Sequence, residues 1–195
     1  MPIVESSMLM ELGNRMPEFK LPEVHGASII ANDFFDGADG SLVAFICRHC
    51  PYVQHMQEGL ADFAREYEQR NLITVGICSS DVEQYSADDI EGLKEQVQEI
   101  GFNFPYLVDE GQEVAKAFSA MCTPDLFLFD GEGRLVYRGQ FDDSRPKSAI
   151  GVTGSDLRAA ADAVLDGGDV SGDQKPSSGC NVAWKPGNEP DYYLG

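Results

Sequence analysis

Leu42-Val43-Ala44-Phe45-Ile46-Cys47-Arg48-His49-Cys50-Pro51-Tyr52-Val53-Gln54-His55-Met56 joins an apolar run of strand length to a segment of helical periodicity, with two cysteines spaced C-x-x-C at the junction. Cys50 falls at the predicted N-cap and Pro51 at the first helical position. Free backbone N–H groups and the positive end of the helix dipole favour a thiolate there, and a protonated His49 would act in the same direction. A thiol lowered from ~8.5 into the ~3.5–7.5 range is a nucleophile near neutral pH. Cys50 is therefore the candidate nucleophile, with His49 to tune it and Arg48 to stabilise a thiolate or a bound anion.

Downstream, Val53, Met56, Leu60, Phe63, Ala64 and Tyr67 form a helical stripe that should end near Arg70-Asn71. Leu72-Ile73-Thr74-Val75-Gly76-Ile77-Cys78 then reads as a strand covered on both faces. Strand, helix and strand make a βαβ unit with a right-handed crossover. Ser86-Ala87-Asp88-Asp89 has the pattern of a capping box, followed by Ile90, Leu93, Val97 and Ile100 at helical spacing and closed by Gly101. Residues 104–108 read as a short extended segment, and Asp109 with Gln112 resembles a cap before Val114, Ala115 and Phe118. Residues 126–130 and 134–138 flank Gly131-Glu132-Gly133 as a hairpin, which makes the sheet mixed. The last helix is expected over 155–166, with Leu157, Ala161, Val164 and Leu165 inward.

The first forty residues are weakly patterned and read as an N-terminal flap with a short strand at 28–31. Residues 169–195 are rich in Gly, Pro and Ser and read as a C-terminal arm crossing the surface, anchored by Trp184. The expected organisation is one domain over 1–168 with the arm of 169–195 packed on it. The fold class is α/β, a central mixed sheet with helices on both faces.

A hydrophobic share of 43% over 195 residues suits one domain with a sizeable core. Fourteen Lys and Arg against thirty-three Asp and Glu, a formal net charge of −19, exclude a nucleic-acid or anionic-membrane surface. The acidity serves solubility or a cationic partner. The start Met1-Pro2-Ile3-Val4-Glu5 lacks the basic and apolar regions of a signal peptide, and no run approaches the ~20 apolar residues of a membrane span. A cytoplasmic location is expected. Five cysteines, an odd number, read as reactive or incidental thiols and not as a disulfide framework.

This order of elements, with a Cys-Pro helix start after the first central strand, resembles the thioredoxin fold, a three-layer sandwich. Cys50-Pro51-Tyr52-Val53 is similar to the glutaredoxin C-P-Y-C site with its second cysteine replaced by Val53, so Cys47 is the nearest substitute for a second thiol. Met121-Cys122-Thr123-Pro124-Asp125-Leu126 resembles the Thr-Pro segment before the thioredoxin hairpin. The resemblance implies a cis Pro124 lying against the active cysteine, with Cys122 nearby. Met16-Pro17-Glu18-Phe19-Lys20-Leu21-Pro22, residues 138–145 and residues 179–185 extend the likeness to the peroxiredoxin-like proteins of the alkyl hydroperoxide reductase and thiol-specific antioxidant superfamily. Typical peroxiredoxins carry Pro-x-x-x-Thr/Ser-x-x-Cys, whereas the positions seven and three before Cys50 are Val43 and Cys47. The hydroxyl that orients a peroxide is missing from this segment, which weighs against efficient peroxidase action.

The resulting expectation is a thiol-dependent oxidoreductase in which Cys50 attacks a peroxide or a protein disulfide and Cys47 resolves the product. Cys122 is either a second resolving thiol or a packing residue beside Pro124, and Cys180 either a mobile resolving thiol or a docked arm residue. Electrons should come from a thioredoxin-type protein or a small thiol, since no phosphate loop or flavin motif points to a bound cofactor. A homodimer through strand edges or the arm stays open. The rival reading is a chaperone-like or soft-metal-binding module, with Cys47, Cys50, Cys122, His49 and Met121 offered to copper or zinc without a regular four-ligand spacing.

Overall fold

The computed structural model describes residues 2–193 and keeps the strand-to-helix junction at its centre. In chain order the elements are β1 (Ile3–Glu5), β2 (Lys20–Pro22), β3 (Ser28–Ile30), α1 (Ala31–Phe34), β4 (Gly40–Phe45), α2 (Pro51–Glu68) and β5 (Leu72–Cys78). A 3-10 turn (Ser86–Asp88), α3 (Ile90–Ile100), β6 (Tyr106–Val108), α4 (Glu113–Ala117) and β7 (Cys122–Thr123) follow. The chain closes with β8 (Asp125–Asp130), β9 (Leu135–Gly139), α5 (Ser155–Leu165) and β10 (Ser178–Asn181).

The main sheet has the order β6-β5-β4-β8-β9, parallel across β6, β5 and β4 and antiparallel through β8 and β9. Alternation along its two central strands divides the core between two faces. Leu42, Ala44, Leu126 and Leu128 join one cluster with Val53, Met56, Leu60, Phe63 and Leu93, and with Leu157 of α5. Val43, Phe45, Phe127 and Phe129 join the other with Val114, Ala115 and Phe118, and with Phe19, Leu21 and Trp184 from the two ends of the chain. Helices thus cover both faces, and each fully buried Leu or Phe contributes roughly 1.5–3 kcal/mol.

Asp89, and not Ser86, caps α3 by accepting the Gly92 N–H at 2.7 Å. Ser86 opens the 3-10 turn instead, because the buried Asp88 carboxylate is turned back to the junction, where it accepts the Arg48 and His49 amides at 2.8 and 3.0 Å. Before α4, Gln112 holds the N-cap position and Asp109 supplies the side-chain bond to the first turn. Asp109 Oδ2 accepts the Ser79 hydroxyl and the Ala115 amide, both at 2.9 Å.

The segment after α5 holds a strand that its sequence does not signal. β10 lies between β1 and β7 in a second, three-stranded antiparallel sheet, with Cys180 opposite both Ile3 and Thr123. Gln112 clamps the following turn, donating to Ser79 O and Ala183 O at 2.7 and 2.8 Å and accepting the Lys185 N–H at 2.9 Å. Trp184 is buried beyond it.

Candidate active site

Cys50 is the N-cap residue of α2, with extended backbone (φ −75°, ψ 122°) and Pro51 at the first helical position. No side-chain oxygen caps this helix and its first turn holds no acidic residue, so the free amides face the sulfur. Across from it the Thr123–Pro124 peptide is cis. As a thiol, Cys50 donates to the Thr123 carbonyl at 3.1 Å, and Cys47 Sγ pairs with Thr123 Oγ1 at 3.3 Å. The short β7 therefore presents one residue to both cysteines.

Two further thiols, Cys47 and Cys180, lie in the same buried cluster as Cys50. Hydrogen bonds from Cys180 and then Cys47, with the Thr123 hydroxyl and the Val53 amide, hold Cys50 well below the ordinary thiol range against the opposing effect of burial. Cys180 is raised in return, first by its hydrogen bond to Cys50 and then by burial. Cys47 is raised first by burial, then by Cys50 and by the nearby Asp88 charge. The negative charge thus sits on Cys50 while its neighbours keep their protons.

The other candidates fall around this centre. His49 is held by Asp88 through Nδ1 and stacks on Tyr85 with ring centroids 3.9 Å apart. Its Nε2 is buried without a partner among the described residues. The Arg48 guanidinium is engaged by Gly92 O at 2.8 Å, Glu95 at 2.5 Å and Glu99 at 3.3 Å, which ties the junction to α3 and leaves no hydrogen bond to Cys50. Cys122 Sγ donates to Pro124 O at 3.4 Å and Ser177 O at 3.9 Å. Cys78, wholly enclosed in β5, is pushed up to about 12 by burial and stays a thiol. Cys180 is the site residue that sequence reasoning left between two roles; only the register of β10 against Thr123 places it.

Cys47, His49 and Asp88 could hold a metal, since one ligand atom from each lies within 4.8 Å of the others. The Asp88 oxygens are already taken by His49 Nδ1 and two backbone amides, so an ion would have to displace those bonds. A cavity of about 20 Å³ borders Pro124, lined also by Tyr52, Met56, Phe141, Arg145 and Ser177. It is far below the ~300 Å³ of a small-molecule site. Cys50 itself has no exposed surface.

Asp125, next to Pro124, is also wholly buried, and burial pushes its carboxyl up to about 7 against hydrogen bonds that include the Met121 amide and the Ser6 hydroxyl. Between the ordinary carboxylate value of 3.8 and about 7, the folded chain holds a proton that the unfolded chain has released. This group's contribution to stability is therefore full at low pH and is lost as pH rises through neutrality. Asp125→Asn is expected to flatten that slope and to exceed wild type by up to a few kcal/mol at about pH 8, with little gain near about pH 4, read from urea unfolding.

Residues 12–138 match the model of the AhpC/TSA family. The solved structure of an uncharacterized conserved protein from Geobacillus kaustophilus superposes with a TM-score of 0.91 at 47% identity, covering 95% of this chain and 98% of that one. Thiol-disulfide oxidoreductase ResA of Bacillus thuringiensis subsp. konkukian is 22% identical over 128 residues, 65% of this chain and 68% of the relative. The solution structure of a putative thioredoxin from Neisseria meningitidis shares the fold, with a TM-score of 0.62 at 20% identity over 83% of this chain and 96% of that one. The architecture is thus thioredoxin-like.

Proposed function

The chain belongs to the AhpC/TSA family and is a thiol-dependent oxidoreductase, and on that premise we propose that Cys50 is its nucleophile and a disulfide its preferred substrate. One observation carries this reading: Cys50 lies at an uncapped helix N-terminus as the charged member of a cluster with Cys47 and Cys180. The thiolate attacks one sulfur of the substrate disulfide, and the other substrate sulfur leaves and takes a proton. A neighbouring thiol of the chain then attacks Cys50 sulfur and releases the second substrate thiol. The substrate gains two electrons, and the chain keeps an internal disulfide. An external thiol donor, a thioredoxin-type protein or a small thiol, returns the electrons. The spacing in sequence nominates Cys47 for the second step.

Peroxide would be the weaker oxidant. Val43 is packed in the core and Cys47 occupies the position where a peroxide-orienting hydroxyl would stand. A reducing compartment such as the cytoplasm belongs to the same reading, since the five free cysteines would keep their thiols there. Parallel assays of the wild type test the preference: thiol-driven reduction of insulin disulfides and consumption of hydrogen peroxide at equal enzyme. Insulin reduction should be the reaction accelerated well above the rate of the thiol donor alone. Acceleration confined to peroxide would reassign the substrate.

A further inference from the structure

β10 sets Cys180 opposite Thr123, the residue whose carbonyl faces Cys50 at 3.1 Å, and Cys180 and Cys50 lie in the same buried cluster. The approach is close enough to require glycine beside it: a Cβ on Gly179 would stand 2.0 Å from Thr123 O. We propose that Cys180, carried on β10, is the resolving thiol that closes a disulfide on Cys50. The proposal rests on Cys50 being the nucleophile and changes the assignment of its second step from Cys47 to Cys180.

Two features separate the two thiols clustered with Cys50. Cys47 follows β4, is 1% exposed and is raised first by burial, then by Cys50 and by the Asp88 charge. When Cys50 reacts only the effect of Cys50 ends, and the larger one, burial, remains with the Asp88 charge. Cys180 is raised first by its own bond to the Cys50 sulfur, and that cause ends once Cys50 has become a mixed disulfide or a sulfenic acid. Cys180 thus loses the largest effect that holds its proton, with burial remaining, whereas Cys47 keeps its largest.

The second feature is access. Cys50 is fully covered, and β10, which packs on α2, is part of that cover. Substrate reaches the sulfur when this strand lifts, and the strand's return brings Cys180 back onto the same atom. The new bond joins Cys50 Sγ to Cys180 Sγ. The bond from Cys50 to the substrate sulfur breaks, and the Cys180 proton goes to the departing thiol. From a sulfenic acid the departing group is water. The external thiol donor then reduces the Cys50–Cys180 disulfide.

The test is peptide mapping by mass spectrometry after one equivalent of oxidised glutathione, with free thiols blocked before digestion. Wild type, Cys47→Ser and Cys180→Ser are compared. A Cys50–Cys180 bridge is expected in wild type and in Cys47→Ser, whether or not the third protein folds well. In Cys180→Ser, Cys50 should instead accumulate as its glutathione adduct, by about tenfold or more over wild type. A Cys47–Cys50 bridge in wild type that persists in Cys180→Ser overturns the proposal and leaves Cys50 as nucleophile. Cys50 unmodified in all three proteins overturns the proposal together with the functional reading beneath it.

Discussion

Cys50→Ser is expected to lower thiol-dependent turnover by on the order of 10³-fold or more, to the rate of the thiol donor alone. Serine fills nearly the same volume at a position with no exposed surface, and it is a better helix N-cap than cysteine. Stability should therefore hold or rise, and the loss reports chemistry. A serine hydroxyl stays protonated near neutral pH, so the bonds from Cys180, Cys47 and Val53 that favour the Cys50 thiolate no longer create a nucleophile. Initial rates of insulin reduction, with thermal unfolding as the folding control, decide it. Retention of a tenth or more of wild-type turnover would place the nucleophile elsewhere. Cys78→Ser and Cys122→Ser should keep turnover, since one thiol is enclosed in β5 and the other points to Pro124 O and Ser177 O.

The same contrast shows what a sequence can display. Pro51 after Cys50, the stripe on α2 and the continuous apolar run of β5 are local signals with local causes, and the structure has Cys50 on the helix start they predict. The two-faced core is legible for the same reason, as alternation on β4 and β8. The cap of α3 misleads because a local pattern competes with a distant need: Asp88 serves His49 and the Arg48 amide, and the helix start moves to Asp89. β10 is hidden differently. Ser178-Gly179-Cys180-Asn181 has neither alternation nor a β-branched residue, and its strand exists through backbone pairing with β1 and β7. The place of Cys180 beside Cys50 follows from that pairing alone, so residues far apart in the chain gave no sign of their contact.

Gly179→Ala is the substitution expected to do most damage to that pairing. Its Cβ would meet Thr123 O at 2.0 Å, Thr123 C at 2.7 Å and Pro124 N at 3.2 Å. All three are backbone atoms, so no side chain can give way and β10 itself must move off β7. Overpacking of this kind costs about 1–3 kcal/mol. The displaced strand would carry Cys180 away from Cys50 and open the covered sulfur. Alkylation of Cys50 by iodoacetamide should then quicken by about tenfold or more, measured by mass spectrometry under native conditions. Gly172→Ala, in the same arm with nothing within 4 Å of its added Cβ, is the control and should leave that rate unchanged. If Gly179→Ala loses stability while Cys50 stays as protected as in wild type, β10 does not cover the nucleophile. If Cys50 becomes reactive while the Cys50–Cys180 bridge fails to form, one strand both shields the thiolate and delivers the thiol that resolves it.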